Sequence, residues 1–502
     1  MEHRPTPIVR GIAAVAVALA GGTVATWFAG PAEAQFVAYE SRVLGIPLAD
    51  QLNSPRLDAM GGLALTIPDE NSELTLYDFG RNLAGLLEDK DGWSVEAHYG
   101  RLTDALDYNS SLGGAPIRQR RVVNQHAVLT EAIYRHDGKY AIGGTVQWDA
   151  RDQDYRFGAD ALTRGPRISG YFNQVVGPVR YAVGLQRWTD NEDIDSPDLF
   201  AIRHYSAAWV VTLAGATRAA GFDLGLQGEF TSVKINGKSR DQSGFKQDEF
   251  VWNRPATQLR ATAIWARPGR LQAGANLAVG SRSGNEEVKI SWSDRFPGNP
   301  GRFSFARTVP TFDEEEDEFS LEARVAYRLA GSTRLGLYAG HQSFTSDVVE
   351  SPNWIGSRRA QKFDTGSTRL GGGLSTALAS QSLLLGAEAF AVLRTTELEQ
   401  LRASSSADSR DVDLSVGAEW MARPSFAVRG GYGRHSRDED VDRPETLNTG
   451  NGFSLGFGYL PRGGMTVWNM GVSNLKLVPD GETGSNRRNE AAQYTLATRF
   501  VF

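Results

Sequence analysis

"FSLEARVAYRL", residues 319–329, sorts into two faces with nothing left over. Phe319, Leu321, Ala323, Val325, Tyr327 and Leu329 fall on one side of an extended chain. Ser320, Glu322, Arg324, Ala326 and Arg328 fall on the other. A period of two marks a strand with different surroundings on its two sides, because successive side chains project in opposite directions. The run has the length that a tilted strand needs to cross hydrocarbon, about 9–11 residues. The same division appears in "FDLGLQGEF" (222–230), "VDLSVGAEW" (412–420) and "FSLGFGY" (453–459). A soluble β-sandwich also alternates, so the decision rests on strand length and on the rhythm of the connections.

From about Trp93 onward many alternating runs reach ten residues or more. Tight turns rich in Gly and Pro fall at "HDGK" (136–139), "VGPV" (176–179), "ARPGR" (266–270), "LAGS" (329–332), "LASQ" (378–381), "ARPS" (422–425) and "PRGG" (461–464). A longer one is "AGATRAAG" (214–221). Between them the sequence predicts long polar loops at about 103–119, 150–163, 190–199, 235–254, 283–317, 346–367, 396–409, 437–450 and 476–490. Short turns on one side and long loops on the other are the asymmetry of outer-membrane barrels. Eight short and nine long connections imply eighteen strands, an even number with both ends on the short-turn side. The expectation is therefore an all-β protein, a transmembrane antiparallel up-and-down β-barrel over 93–502. It has about 18 strands, within a range of 14–18, and a plug-like N-terminal segment.

The ends of the chain agree with export. Residues 1–34 carry Arg4 and Arg10, an apolar run from Gly11 to Phe28 and the small-x-small site Ala32-Glu33-Ala34. That is the layout of a cleaved signal peptide, with an uncleaved anchor as the alternative. There is no cysteine and no later apolar run long enough for a spanning helix. An exported chain without disulfides needs another source of stability, and a sheet closed on itself supplies one. The net charge of −6 gives no reason to expect nucleic acid.

The chain closes on "AAQYTLATRFVF" (491–502), with Tyr494, Leu496, Phe500 and Phe502 on one face. This resembles the C-terminal signal of bacterial outer-membrane barrels, an alternating apolar strand ending in an aromatic. The resemblance implies recognition by the barrel-assembly machinery and a place in the outer membrane of a Gram-negative bacterium, among its lipid and lipopolysaccharide. A homotrimer is compatible with such an exterior. Trp148, Trp188, Trp265, Trp420, Tyr327 and Tyr459 lie near strand ends, where an interfacial girdle would place them.

The opposite faces of the strands carry both signs of charge. The lumen-lining candidates are Glu96, Asp223, Glu229, Arg260, Glu322, Arg324, Arg328, Glu388, Asp413, Glu419, Arg429 and Arg499. Unpaired charges are too costly for a dry interior, and eighteen strands enclose more space than side chains fill. A hydrated bore follows, with most of these charges as solvated or ion-paired wall. Arg324 and Arg328 share one face of one strand, where a cationic ladder steers anionic solutes.

Residues 35–92 are not a simple linker. Met60-Gly61-Gly62, Asp69-Glu70-Asn71 and Asn82-Leu83-Ala84 resemble the N-terminal region of outer-membrane hydrophobic-substrate transporters of the long-chain fatty acid type, and of related secretion-system barrels. Leu83 stands where that family has proline, and the family has fewer strands than counted here. The resemblance implies a plug within the lumen, with Asn71 and Asn82 as its candidate residues.

Two acidic stretches, "DEEEDE" (313–318) and "RDEDVDR" (437–443), fit no calcium-loop spacing and read as solvated loop charge. "GHQSF" (340–344) resembles the His-x-Ser pair of outer-membrane phospholipases in His341 and Ser343, with Phe344 in place of the family's Asn. Catalysis also requires an oriented base and an oxyanion site, and neither is identifiable, so a non-enzyme is expected. No cofactor and no metal are expected either. The functional expectation is a channel or transporter for small-molecule solutes, partly occluded by 35–92. An open diffusion porin and a sealed structural or secretion barrel are the alternatives.

Overall fold

The computed structural model describes Met60, Leu63 and residues 91–501, apart from connecting segments at 113–114, 156–158, 197–199, 242–245, 268–270, 294–303, 331, 351–358, 379–381, 401–402, 442, 460–465 and 481–487. The first six strands are β1 (Gly92–Leu112), β2 (Ala115–His136), β3 (Tyr140–Tyr155), β4 (Ala159–Val176), β5 (Val179–Ser196) and β6 (Phe200–Ala219). Next come β7 (Phe222–Asp241), β8 (Lys246–Arg267), β9 (Leu271–Ser293), β10 (Ser304–Ala330), β11 (Thr333–Glu350) and β12 (Arg359–Leu378). The last are β13 (Leu383–Gln400), β14 (Ala403–Arg423), β15 (Phe426–Val441), β16 (Arg443–Tyr459), β17 (Thr466–Asp480) and β18 (Arg488–Val501).

Each strand pairs antiparallel with the next, and β1 pairs with β18 as well as with β2. The chain is an up-and-down barrel in a single sheet of eighteen strands. In the closing register Glu96 sits opposite Arg499 on one side and Glu131 on the other. Closure leaves no row of unpaired backbone groups, which hydrocarbon would penalise heavily. No helix among the described residues is long and apolar enough to cross a membrane, which says nothing about crossing by strands.

Strands end on either side of each predicted tight turn, and the turns among the described residues lie where the Gly and Pro signals placed them. In the three-residue connection between His136 and Tyr140, Asp137 and Gly138 both have positive φ, 55° and 60°, and the Lys139 N–H donates to the His136 carbonyl at 2.8 Å to close the turn. Lys139 Nζ donates to the Asp137 carboxylate at 2.7 Å. That hydrogen bond, reinforced by charge, holds the Asp137 carboxyl below its ordinary range and Lys139 above its own. The stretch at 214–221 narrows to a turn at Ala220-Gly221, again with positive φ at both.

The long connections differ from expectation. Most residues read as loop continue as strand: β10 begins at Ser304, inside the predicted 283–317 loop, and β1 runs to Leu112. The physical reason lies on the exterior. Beyond the apolar band the outward residues turn polar, so the alternation disappears from the sequence while backbone pairing continues. On β10 the outward positions run Leu329, Tyr327, Val325 and Leu321, then Asp317, Glu315 and Asp313, all exposed.

The distribution of polarity is inside out. Large apolar side chains are exposed on the exterior, with Phe453 at 67% and Leu455 at 68%. Charged groups such as Glu131, Arg135, Glu388 and Arg429 are buried at 4% or less. Two packed patches lie on the inward wall: Ile133, Ala141, Tyr171, Ala182 and Ala216 on β2–β6, and Phe344, Phe363 and Leu398 on β11–β13. Tyr171 Oη donates to buried Glu131 at 2.8 Å.

Candidate functional site: the lumen wall

Charge on the inward wall is arranged in two different ways. On β8–β10, Arg254 Nη2 meets both Glu314 Oε2 and Glu316 Oε1 at 2.9 Å, and Arg282 Nη1 meets Glu316 Oε2 at 2.9 Å. On β13–β15, Arg429 Nε donates to Glu419 Oε2 at 2.7 Å, Arg394 pairs with Asp411 at 3.4 Å, and His435 Nδ1 contacts Asp413. Apart from the half-exposed His435–Asp413 pair, these groups are largely withdrawn from water, and each charge in them depends on its partner.

The first network corrects the reading of "DEEEDE" as solvated loop. The stretch is strand within β10. Alternation sends Asp313, Glu315 and Asp317 outward and exposed, while Glu314 and Glu316 turn inward and are buried against arginines. Six consecutive acids carry no hydrophobic period, and the pairing arginines are distant in sequence, so nothing local reveals the strand. "RDEDVDR" is likewise strand to Val441, with β16 resuming at Arg443.

Most of the other predicted wall residues share the inward parity. Asp223 lies 3.9 Å from Arg180 and 3.8 Å from Arg218. Glu229 accepts from Gln227 at 2.8 Å. Arg260 is half-buried beside buried Gln258, its neighbour two positions along the same face, and Glu388 is buried. Glu96 and Arg499 are placed by backbone register alone.

The second arrangement lies on β10–β13, nearer the short-turn end. Arg324 stands opposite Tyr338, and its guanidinium lies 5.5 Å from the centre of that ring. Arg369 lies 4.2 Å over Phe390 and 5.9 Å from Tyr338. Tyr338 Oη donates to Glu322 Oε1 at 3.3 Å, and Tyr338 and Phe390 meet edge to face at 6.0 Å. Arg328 faces Arg334 in register two rows closer to the turn. Gly371 makes this possible: a Cβ there would overlap the Phe390 ring, so only glycine lets the ring lie flat on the wall. Arg324, Arg328 and Arg369 all remain exposed to the bore. Sequence reading singled out Arg324 and Arg328 and did not single out Arg369, Tyr338 or Phe390. In sequence Arg369 precedes a glycine run, and Tyr338 and Phe390 look like ordinary packing aromatics.

Near the short-turn end two residues that precede the first strand, Met60 and Leu63, meet the wall. Met60 and Leu63 are fully buried, packed with Leu384 and Ala377. Gly417, inward on β14, abuts the Met60 carbonyl so closely that a Cβ would overlap it, and Leu63 Cδ1 lies beside the same position. The chain at Met60 therefore lies against the inner wall of β12–β14. Asn71 and Asn82, and the rest of the expected plug, lie outside the described residues.

On the exterior, Trp148, Trp420, Tyr327 and Tyr459 are exposed as a girdle requires, joined by Trp93 and Trp209. Trp188 does not belong with them. On β5 the outward positions are Tyr181, Val183 and Leu185, so Trp188 shares the inward parity and lies under Arg167 at 5.8 Å. The side chain of Trp265 is outside the described set. Leu496 is exposed on β18; Tyr494 and Phe500 are placed by register, and Phe502 lies outside the described residues. His341 is exposed on the outer face, where its Nδ1 is 3.0 Å from Thr368 Oγ1, and no contact between it and Ser343 occurs among the described residues. No metal-binding group of side chains occurs among the described residues.

No protein-family model matches the chain, and no curated protein matches it in sequence. Among solved structures it is similar to the Pseudomonas putida toluene transporter TodX, with 11% identity over 90% of this chain and 98% of that one and a TM-score of 0.38. It is also similar to the Ralstonia pickettii toluene transporter TbuX, with 14% identity, coverage of 90% and 98% and a TM-score of 0.34. The ferric yersiniabactin uptake receptor FyuA of Yersinia pestis gives 11% identity, coverage of 83% and 81% and a TM-score of 0.43. Likenesses this low carry no inference about substrate or mechanism, and the fold rests on the strand pairing itself.

Proposed function

We propose that the protein is an outer-membrane channel that moves small hydrophilic molecules through its bore, with the N-terminal segment 35–92 partly occluding the passage. The observation that carries this reading is the inversion of polarity on an eighteen-stranded ring. Apolar side chains outside suit lipid, and paired or exposed charges inside suit water. The burial of Met60 and Leu63 on the inner wall supports occlusion, because a segment packed there narrows the bore at the short-turn end. On this reading the exterior meets lipid and lipopolysaccharide, the last strand serves the assembly machinery, and the solute is the only small-molecule partner. No catalytic step is assigned.

Conductance in planar bilayers tests it. Removal of residues 35–92 should raise single-channel conductance several-fold, and Gly417→Val should raise it less, by displacing Met60 from the wall. Equal, open conductance in all forms would point to a simple diffusion porin. Silence in all of them would point to a sealed barrel.

A further inference from the structure

We infer that the outer face of β5–β7, at the long-loop edge of its apolar band, is a docking site for one molecule of lipopolysaccharide, with Arg187 and Lys234 receiving the phosphates of its lipid A headgroup. The site lies outside the bore. It rests on the channel reading only for the placement in an outer membrane, with the long loops on the lipopolysaccharide side.

On β5 the outward positions run Tyr181, Val183 and Leu185, all exposed, and then Arg187, exposed as well. On β7 the outward apolar row ends at Phe230, and Ser232 and Lys234 follow. Both strands therefore leave the apolar band through an exposed cation. Between them β6 presents Trp209 and Tyr205, 48% and 42% exposed. In register Arg187 stands opposite Trp209, Trp209 opposite Ser232, and Lys234 opposite Ala207, which separates the two rings along β6. The cations are two strands and one outward position apart, so sheet spacing puts their α-carbons roughly 12 Å apart. Among the described residues of β5–β7 no acid faces outward, whereas β10 exposes Asp313, Glu315 and Asp317 beyond its own apolar band.

Arg187 lies over the Trp209 ring at 5.2 Å from its centre. Among the described residues neither Arg187 nor Lys234 pairs with a carboxylate. A cation beside hydrocarbon is costly unless its long stem carries the charge up to the headgroups. There its natural partner is an anionic lipid. The ring holds one face of the Arg187 guanidinium and leaves the N–H rim, a fork that fits a phosphate's oxygens two at a time. Lys234 takes a phosphate as a point charge. Lipid A carries two phosphates at opposite ends of a disaccharide, which suits two cations set this far apart, whereas a glycerophospholipid brings only one. Trp209 and Tyr205 stand between the cations, at the level where amphipathic rings bridge acyl chain and headgroup.

Lipid A bearing both phosphates is the probe. It is titrated into the full-length mature barrel, delipidated and held in detergent, and bound lipid is counted by native mass spectrometry. One molecule should bind in preference to any further ones. Arg187→Gln and Lys234→Gln should each weaken that binding about five-fold, and together about twenty-five-fold. Arg187→Lys should fall between parent and Arg187→Gln, keeping charge but losing the fork. Phosphatidylglycerol, with one phosphate, should bind the parent at least about five-fold more weakly, and lipid A stripped of its phosphates about as weakly as lipid A binds the double variant. Arg423→Gln, which removes an exposed cation at the short-turn end of β14, should change nothing. Retained β-sheet circular dichroism distinguishes lost binding from lost fold. Absence of lipid A binding in the parent would overturn the inference. So would unchanged binding in the double variant, equal weakening by Arg423→Gln, or equal binding of phosphatidylglycerol or of dephosphorylated lipid A. Conductance of the same preparations separates this site from the channel. Lost lipid A binding with intact conductance defeats the site alone, and intact binding in a silent protein defeats the channel and leaves the site standing.

Discussion

The β13–β15 wall and the β10–β12 wall both place arginines on the inner surface, and they use them in opposite ways. Arg429 is buried at 3% and tied to Glu419, whereas Arg369 is exposed and lies on an aromatic ring. In the first case the guanidinium neutralises a carboxylate that burial would otherwise make costly, and the pair is part of the wall. In the second the ring is only a support, and the charge remains available to whatever fills the bore. The partner of an arginine, more than its presence, decides whether its charge is neutralised within this wall.

Three substitutions sharpen that contrast, and stability in denaturant-induced unfolding from lipid vesicles is the readout for each. Arg429→Gln removes the guanidinium that donates to buried Glu419 and should cost about 3–5 kcal/mol. Tyr171→Phe removes the hydroxyl that donates to buried Glu131 and should cost about 1–3 kcal/mol, the range for losing a buried hydrogen bond to a charged group. Arg369→Gln should cost under about 1 kcal/mol, because an exposed guanidinium on a ring contributes little to folding. If Arg369→Gln proved as destabilising as Arg429→Gln, the distinction between the two walls would fail.

Much of this was legible in the sequence, for identifiable reasons. Where a strand passes through the apolar band, as in 222–230 and 319–329, alternation alone separates two faces, and Asp223, Glu229, Glu322 and Arg324 all lie on the face opposite the exposed apolar residues. Gly and Pro fixed the short turns, and with them the strand number. Legibility ended where the exterior becomes polar. There Glu314 and Glu316 look like their exposed neighbours Glu315 and Asp317, and only the cross-strand arginines Arg254 and Arg282 distinguish them. Trp188 was misjudged because proximity to a strand end says nothing about parity. The seat for Met60 could not be read at all, since the reason for Gly417 is a contact with a residue more than three hundred positions away.

Alternating accessibility along one strand tests the central claim most directly. The chain has no cysteine of its own, so single cysteines can be introduced in turn from 320 to 328. In vesicles, a water-soluble, membrane-impermeant thiol reagent should label Glu322→Cys, Arg324→Cys and Arg328→Cys. Leu321→Cys, Val325→Cys and Tyr327→Cys should be shielded from it and quenched instead by a lipid-borne probe. Uniform labelling at all positions, or the reverse alternation, would contradict a barrel with a lipid-facing exterior and a hydrated bore.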